Sequence, residues 1–132
     1  QLSIQPEFDC QADSFCSLLG LSYYLTEPEF ALLLTKIRKL LPNCRIAFDF
    51  PLSADGTDSV SALATAAGER MQARYTPESM EHLLQDCGWC ANALLSPEEI
   101  ERRYFTAYNA AHPQTPIQLA QRISLCCAET ER

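Results

Sequence analysis

The chain is poor in the residues on which the most easily read chemistries depend. Its 132 residues include only four glycines, Gly20, Gly56, Gly68 and Gly88, too dispersed to build a glycine-rich loop. That excludes a phosphate cradle or a dinucleotide fingerprint within this stretch. Histidine is confined to His82 and His112, and neither stands in a motif with a serine or cysteine, so a hydrolytic Ser–His or Cys–His centre has no support. Lys and Arg total ten against seventeen Asp and Glu, a formal net charge of -7. Nucleic acid is therefore disfavoured as a partner, because holding phosphates needs clustered positive charge. No apolar run approaches the roughly 18 residues needed to cross a bilayer, so no membrane is expected. The first residue is Gln1, not a methionine, and the chain reads as part of a longer polypeptide.

Cysteine is plentiful by contrast: Cys10, Cys16, Cys44, Cys87, Cys90, Cys126 and Cys127. The number is odd and several lie in apolar runs. They read as buried, reduced thiols of a cytoplasmic protein rather than as a disulfide framework. Cys87-Gly-Trp-Cys90 has the spacing of a redox dithiol, but it falls at a predicted helix C-terminus, where the dipole does not lower a thiol pKa. The adjacent Cys126 and Cys127 lie on a predicted strand and point to opposite faces, which argues against a zinc site. No metal is expected.

Length allows one domain with a real core, here residues 1–132 with 1–13 as a polar lead-in. Residues 14–21 read as a short buried strand ending near Gly20. Thr26 with Glu29 forms a capping-box pattern, and Phe30, Leu33, Leu34, Ile37 and Leu41 recur at helical spacing. "CRIAFDF" (44–50) alternates as a strand. A weaker helix is expected over 59–72, then a helix opened by Thr76 and Pro77 and stopped by Gly88. "WCANALL" (89–95) reads as a strand, Ser96-Pro97 opens a helix through about Tyr108, and "ISLCCAE" (123–129) is a final strand. Strand–helix alternation of this kind predicts an α/β layer fold with a mainly parallel sheet. Asp49 ends a strand, at the edge where ligands bind in open α/β sheets; a merely solvated carboxylate is the other reading. Glu69, Arg70, Arg102 and Arg103 read as surface charges, and Tyr104 as a helix core aromatic, unless a site recruits them.

Four segments, in order, resemble a known family. They are "SFCSLLGLSYYLT" followed by "LLLTKIRKLLPNCRIAFDFP", then "GERMQARYTPESMEHLLQDCGW" and "LLSPEEIERRYF". Together they resemble the leucine carboxyl methyltransferase-like family of S-adenosylmethionine-dependent methyltransferases. The resemblance implies the C-terminal half of a class I (Rossmann-like) fold, about four strands with flanking helices and the last strand antiparallel. It implies S-adenosyl-L-methionine as cofactor and a small molecule or protein carboxylate as methyl acceptor. Leu19, Gly20 and Leu21 would line the cofactor cleft; Tyr24, Glu69, Arg103 and Tyr104 would face the acceptor. Leu19 stands where many members carry an acid. The glycine-rich loop that holds the cofactor's methionine part is absent, so the chain alone is expected to be inactive. A half-sheet leaves an edge bare, so a homodimer or strand exchange is expected, and a non-catalytic binding or oligomerisation module is the rival reading.

Overall fold

The computed structural model describes residues 8–53, 73–119 and 122–131. The helix expected over 59–72, with Glu69, Arg70 and the glycines at 56 and 68, lies outside the described residues.

Strand β1 (Ser14–Leu18) is followed by a 3-10 turn (Ser22–Tyr24) and helix α1 (Glu27–Leu40). Strand β2 (Cys44–Pro51), helix α2 (Pro77–Asp86) and strand β3 (Trp89–Leu95) come next. A short helix α3 (Pro97–Ile100) runs through a π turn (Glu101–Phe105) into α4 (Thr106–Ala111), and β4 (Ile123–Thr130) closes the series. Helices α1, α2 and α3 all start alike. Thr26, Thr76 and Ser96 each accept a backbone N–H three residues on, and the side chain at that third position returns the bond. A proline follows within the first turn, where its missing N–H costs nothing. Gly88 ends α2 with φ +83, a conformation glycine adopts without strain.

The sheet order is β1-β2-β4-β3. β1 and β2 are parallel, while β4 is inserted antiparallel to both β2 and β3. The three strands β1, β2 and β3 therefore point the same way. Alternation in β2 sends Cys44, Ile46, Phe48 and Phe50 into one face, and Phe30 and Leu34 of α1 with Met80, Leu83 and Leu84 of α2 bury it. Edge-on ring pairs knit this core: Phe30 with Phe48 at 5.3 Å and Phe50 with Tyr75 at 6.1 Å between centroids. Such pairs contribute roughly 0.5–1.5 kcal/mol beyond the area they bury.

Three expectations are corrected. The first strand stops at Leu18 rather than running to Leu21, because Gly20 takes φ +70 and turns the chain out of the sheet. The helix after Ser96 runs on to Ala111 as expected, but it widens into a π turn at Glu101–Phe105, where the Thr106 hydroxyl donates to the Glu101 carbonyl five residues back at 3.2 Å. The cysteines are all free, but Cys90 and Cys127 are exposed, because both lie outside the face that α1 and α2 cover.

Candidate functional site

The carboxyl ends of β1, β2 and β3 gather along one edge of the sheet, and the loops that leave them form the place where open α/β sheets meet ligands. Beyond β1 the chain makes a lip. Leu19 is 64% exposed, Gly20 turns with open space on the side where a Cβ would stand, and Leu21 is half-buried. Open space beside a glycine lets a ligand approach the backbone closely.

Asp49, near the end of β2, holds this lip at three points. The Gly20 N–H donates to its Oδ1 and the Tyr23 hydroxyl to its Oδ2, each at 2.7 Å. The Ser22 hydroxyl donates to its backbone carbonyl, also at 2.7 Å. Burial, and then the bond to Asp49, pushes the Tyr23 phenol far above its ordinary value. It is a donor at every physiological pH. Asp49 was legible as a strand-end carboxylate; its partner Tyr23 was not, because nothing local pairs residues 26 positions apart. Tyr24 is 45% exposed, its ring 6.3 Å from that of Tyr23. Leu19, Gly20, Leu21 and Tyr24 thus come together in one lip.

Arg103 and Tyr104 do not join them directly. Both sit exposed on the π turn, on the helical segment after β3, and β3 stands at the opposite edge of the sheet from β1. Tyr104 is 57% exposed and so is no core aromatic. Glu69 lies outside the described residues. Between the starts of α2 and α3 lies a cavity of about 330 Å³ lined by Leu52, Ser53, Thr76, Leu94, Ser96 and Arg122 among others. Sequence reasoning missed it, although the paired helix starts at Thr76 and Ser96 were its visible signal. Tyr75, next in sequence to Thr76, is buried, its hydroxyl without a hydrogen-bond partner among the described residues and its pKa pushed up to about 12 by burial. A second hollow of about 340 Å³, lined by Asp13, Asn43, Cys44 and Glu129 among others, lies at the other end of β1 and β2, away from the lip. Among the described residues no three His, Cys, Asp or Glu side chains converge as metal ligands, and no helix is long and apolar enough to cross a membrane.

The fold as a whole superposes on known structures. Magnesium protoporphyrin IX methyltransferase (ChlM) from Synechocystis PCC 6803, solved with bound SAH, superposes with a TM-score of 0.53 at 11% identity, over 95% of this chain and 48% of that one. CalO1, a methyltransferase in calicheamicin biosynthesis, also SAH-bound, gives 0.53 at 12% identity over 96% and 33%. The fold is that of a class I S-adenosylmethionine-dependent methyltransferase. At the sequence level the chain is 34% identical over 102 residues to YktD of Bacillus subtilis (strain 168), which bears the name of an S-adenosyl-L-methionine-dependent methyltransferase. That match takes in 70% of this chain and 34% of YktD, so the chain spans about a third of its curated relative. No family model matches the sequence. Fold and sequence similarity together support the S-adenosylmethionine-dependent methyltransferase family.

Proposed function

We propose that this chain is the acceptor-side half of an S-adenosylmethionine-dependent O-methyltransferase of the leucine carboxyl methyltransferase-like kind. The observation that carries the reading is the order β1-β2-β4-β3 with β4 antiparallel, combined with a glycine lip at the carboxyl end of β1. The lip fits the cofactor as one wall: Gly20 leaves room for it, and Leu19 and Leu21 offer apolar surface. When bound, S-adenosylmethionine supplies a methyl group on a charged sulfur. The residues of the chain align and desolvate. Leu19, Gly20 and Leu21 line the cofactor side and exclude water; Tyr24 forms a wall towards the acceptor. Arg103 and Tyr104, with Glu69 of the undescribed stretch, shape the acceptor side. Direct displacement depends on alignment in a dry pocket, and a carboxylate acceptor has no proton to lose. Among the described residues the lip offers no obvious base, which is compatible with a carboxyl acceptor, and a hydroxyl acceptor belongs to the same reading. A single domain and a cytoplasmic setting belong to the proposal.

The chain alone is expected not to catalyse, since its own sequence holds no glycine-rich loop. Calorimetry with S-adenosylmethionine tests this: micromolar binding by the chain would overturn it. A specific observation favours a second reading, a non-catalytic binding or oligomerisation module. β1 carries no charged residue, has β2 as its one strand neighbour among the described residues, and exposes Phe15 at 65%. Such an edge invites another strand, and a sedimentation profile showing only monomer at high concentration would count against it.

A further inference from the structure

Asp49 is half-buried and sits directly behind Gly20, the residue next to Leu19. Both of its carboxylate oxygens accept from neutral donors, Gly20 N–H and Tyr23 O–H, and no cation among the described residues pairs with it. Two consequences follow from that arrangement. The first is geometric. Residues 20, 22 and 23 are each tied to the same strand residue, so the shape of the lip is set from β2 rather than by the loop itself. The second is electrostatic. Neutral donors stabilise the carboxylate without cancelling it, so among the described residues its negative charge stays unpaired behind an apolar lip whose Gly20 faces open space.

We propose that Asp49 is the positioning residue of the lip, and that its uncancelled charge makes the lip prefer a cationic ligand to a neutral one of the same shape. The negative charge therefore enters from the neighbouring strand at the point where Leu19 contributes none. The choice of ligand rests on the methyltransferase reading. S-adenosylmethionine carries a sulfonium cation, while S-adenosylhomocysteine has a neutral thioether and is otherwise the same apart from the methyl group. Two unit charges about 7 Å apart in water interact by about RT, which sets the scale of the expected preference at about threefold.

The test titrates both compounds, to millimolar concentration, into the isotope-labelled chain and follows the amide resonances of residues 19–24. The wild type is expected to bind S-adenosylmethionine about threefold more tightly than S-adenosylhomocysteine. In Asp49→Asn, which keeps an acceptor for Gly20, the preference is expected to fall to about one while the Gly20 amide stays protected from exchange. In Asp49→Ala that protection is expected to disappear, while core amides of β2 and β4 remain slow. A loosened lip alone would weaken both compounds together and leave their ratio unmoved. A preference that survives in Asp49→Asn, a Gly20 amide still protected in Asp49→Ala, or lip resonances moved by neither compound would each overturn the proposal. The methyltransferase reading fails separately, on the absence of methyl-label transfer by the longer polypeptide, so the two failures are told apart.

Discussion

The Arg38 guanidinium donates from Nε to the carbonyl of Gly88 at 2.8 Å and from Nη2 to the carbonyl of Glu131 at 3.2 Å, joining the end of α1 to both flanks of the β3–β4 pair. Arg38 and Lys39 stand in the last turn of α1, where positive charge suits the helix dipole, and the structure gives Arg38 a long-range task as well. A Cβ at Gly88 would stand 2.4 Å from Arg38 Nε, and the residue holds φ +83. Gly88→Ala is therefore expected to lower stability by about 1–2 kcal/mol from backbone conformation alone, with more from displacement of Arg38. Urea unfolding checks it. Adding Arg38→Ala to Gly88→Ala should cost less than the sum of the two single changes, since the clash and the bond share the same atoms.

Trp89, the single tryptophan, is fully buried, and its indole N–H donates to the Leu34 carbonyl in α1 at 3.1 Å. Trp89→Phe removes the bond and part of the packing, and is expected to cost about 1–3 kcal/mol. Thermal unfolding followed by circular dichroism measures it. In the wild type the same burial predicts a blue-shifted emission that moves red only on global unfolding.

Alkaline pH should destabilise the fold early. Burial, and then the Cys16 thiol 3.7 Å away, pushes Cys44 from 9.0 up to about 12. Burial likewise pushes Cys126 from 9.0 up to about 12. Both folded values lie above the unfolded ones, so their stabilisation is fully present below pH 9 and is lost as pH rises from 9.0 towards 12. The Cys126 thiol contributes a slope of up to about 1.4 kcal/mol per pH unit in that window, and Cys44 adds a smaller one in the same direction. Chemical denaturation at stepped pH should show the decline, and Cys126→Ala should make it shallower.

Phe15→Lys places a charge on the bare edge strand. If β1 seeks a partner, the variant is expected to sediment as a monomer at concentrations where the wild type self-associates. Equal behaviour of the two would remove the basis for the oligomerisation reading.

The local grammar of the chain was legible because its causes are local. Thr26, Thr76 and Ser96 announce three helix starts within four residues each, and the alternation of β2 needs only its own sequence. The lip was only half visible. Gly20 and Tyr24 could be singled out, and Asp49 recognised as a strand end. That Asp49 grips Gly20 and Tyr23 could not be seen, because those contacts span 29 and 26 residues and depend on β1 lying beside β2. The π turn escaped for a different reason. Ser96-Pro97 with a following Arg-Tyr pair fits a regular helix equally well, and the bond from Thr106 to Glu101 appears only once the turn has widened. The exposure of Cys90 and Cys127 depends on which face α1 and α2 cover, a tertiary fact.

The antiparallel seat of β4 has a consequence for how the protein is made. Synthesis delivers β1, β2 and β3 in order, yet β3 reaches β2 only through β4, whose Thr130 hydroxyl donates to the Pro42 carbonyl 88 positions earlier. A chain paused on the ribosome before Ile123 would hold β1–β2 as one piece and β3 as another, with an empty slot between them. Closing that slot is a late event with long loops to fix, so β2, and then β3, keeps an open edge until β4 arrives, the interval in which chaperone binding or mispairing would compete with folding.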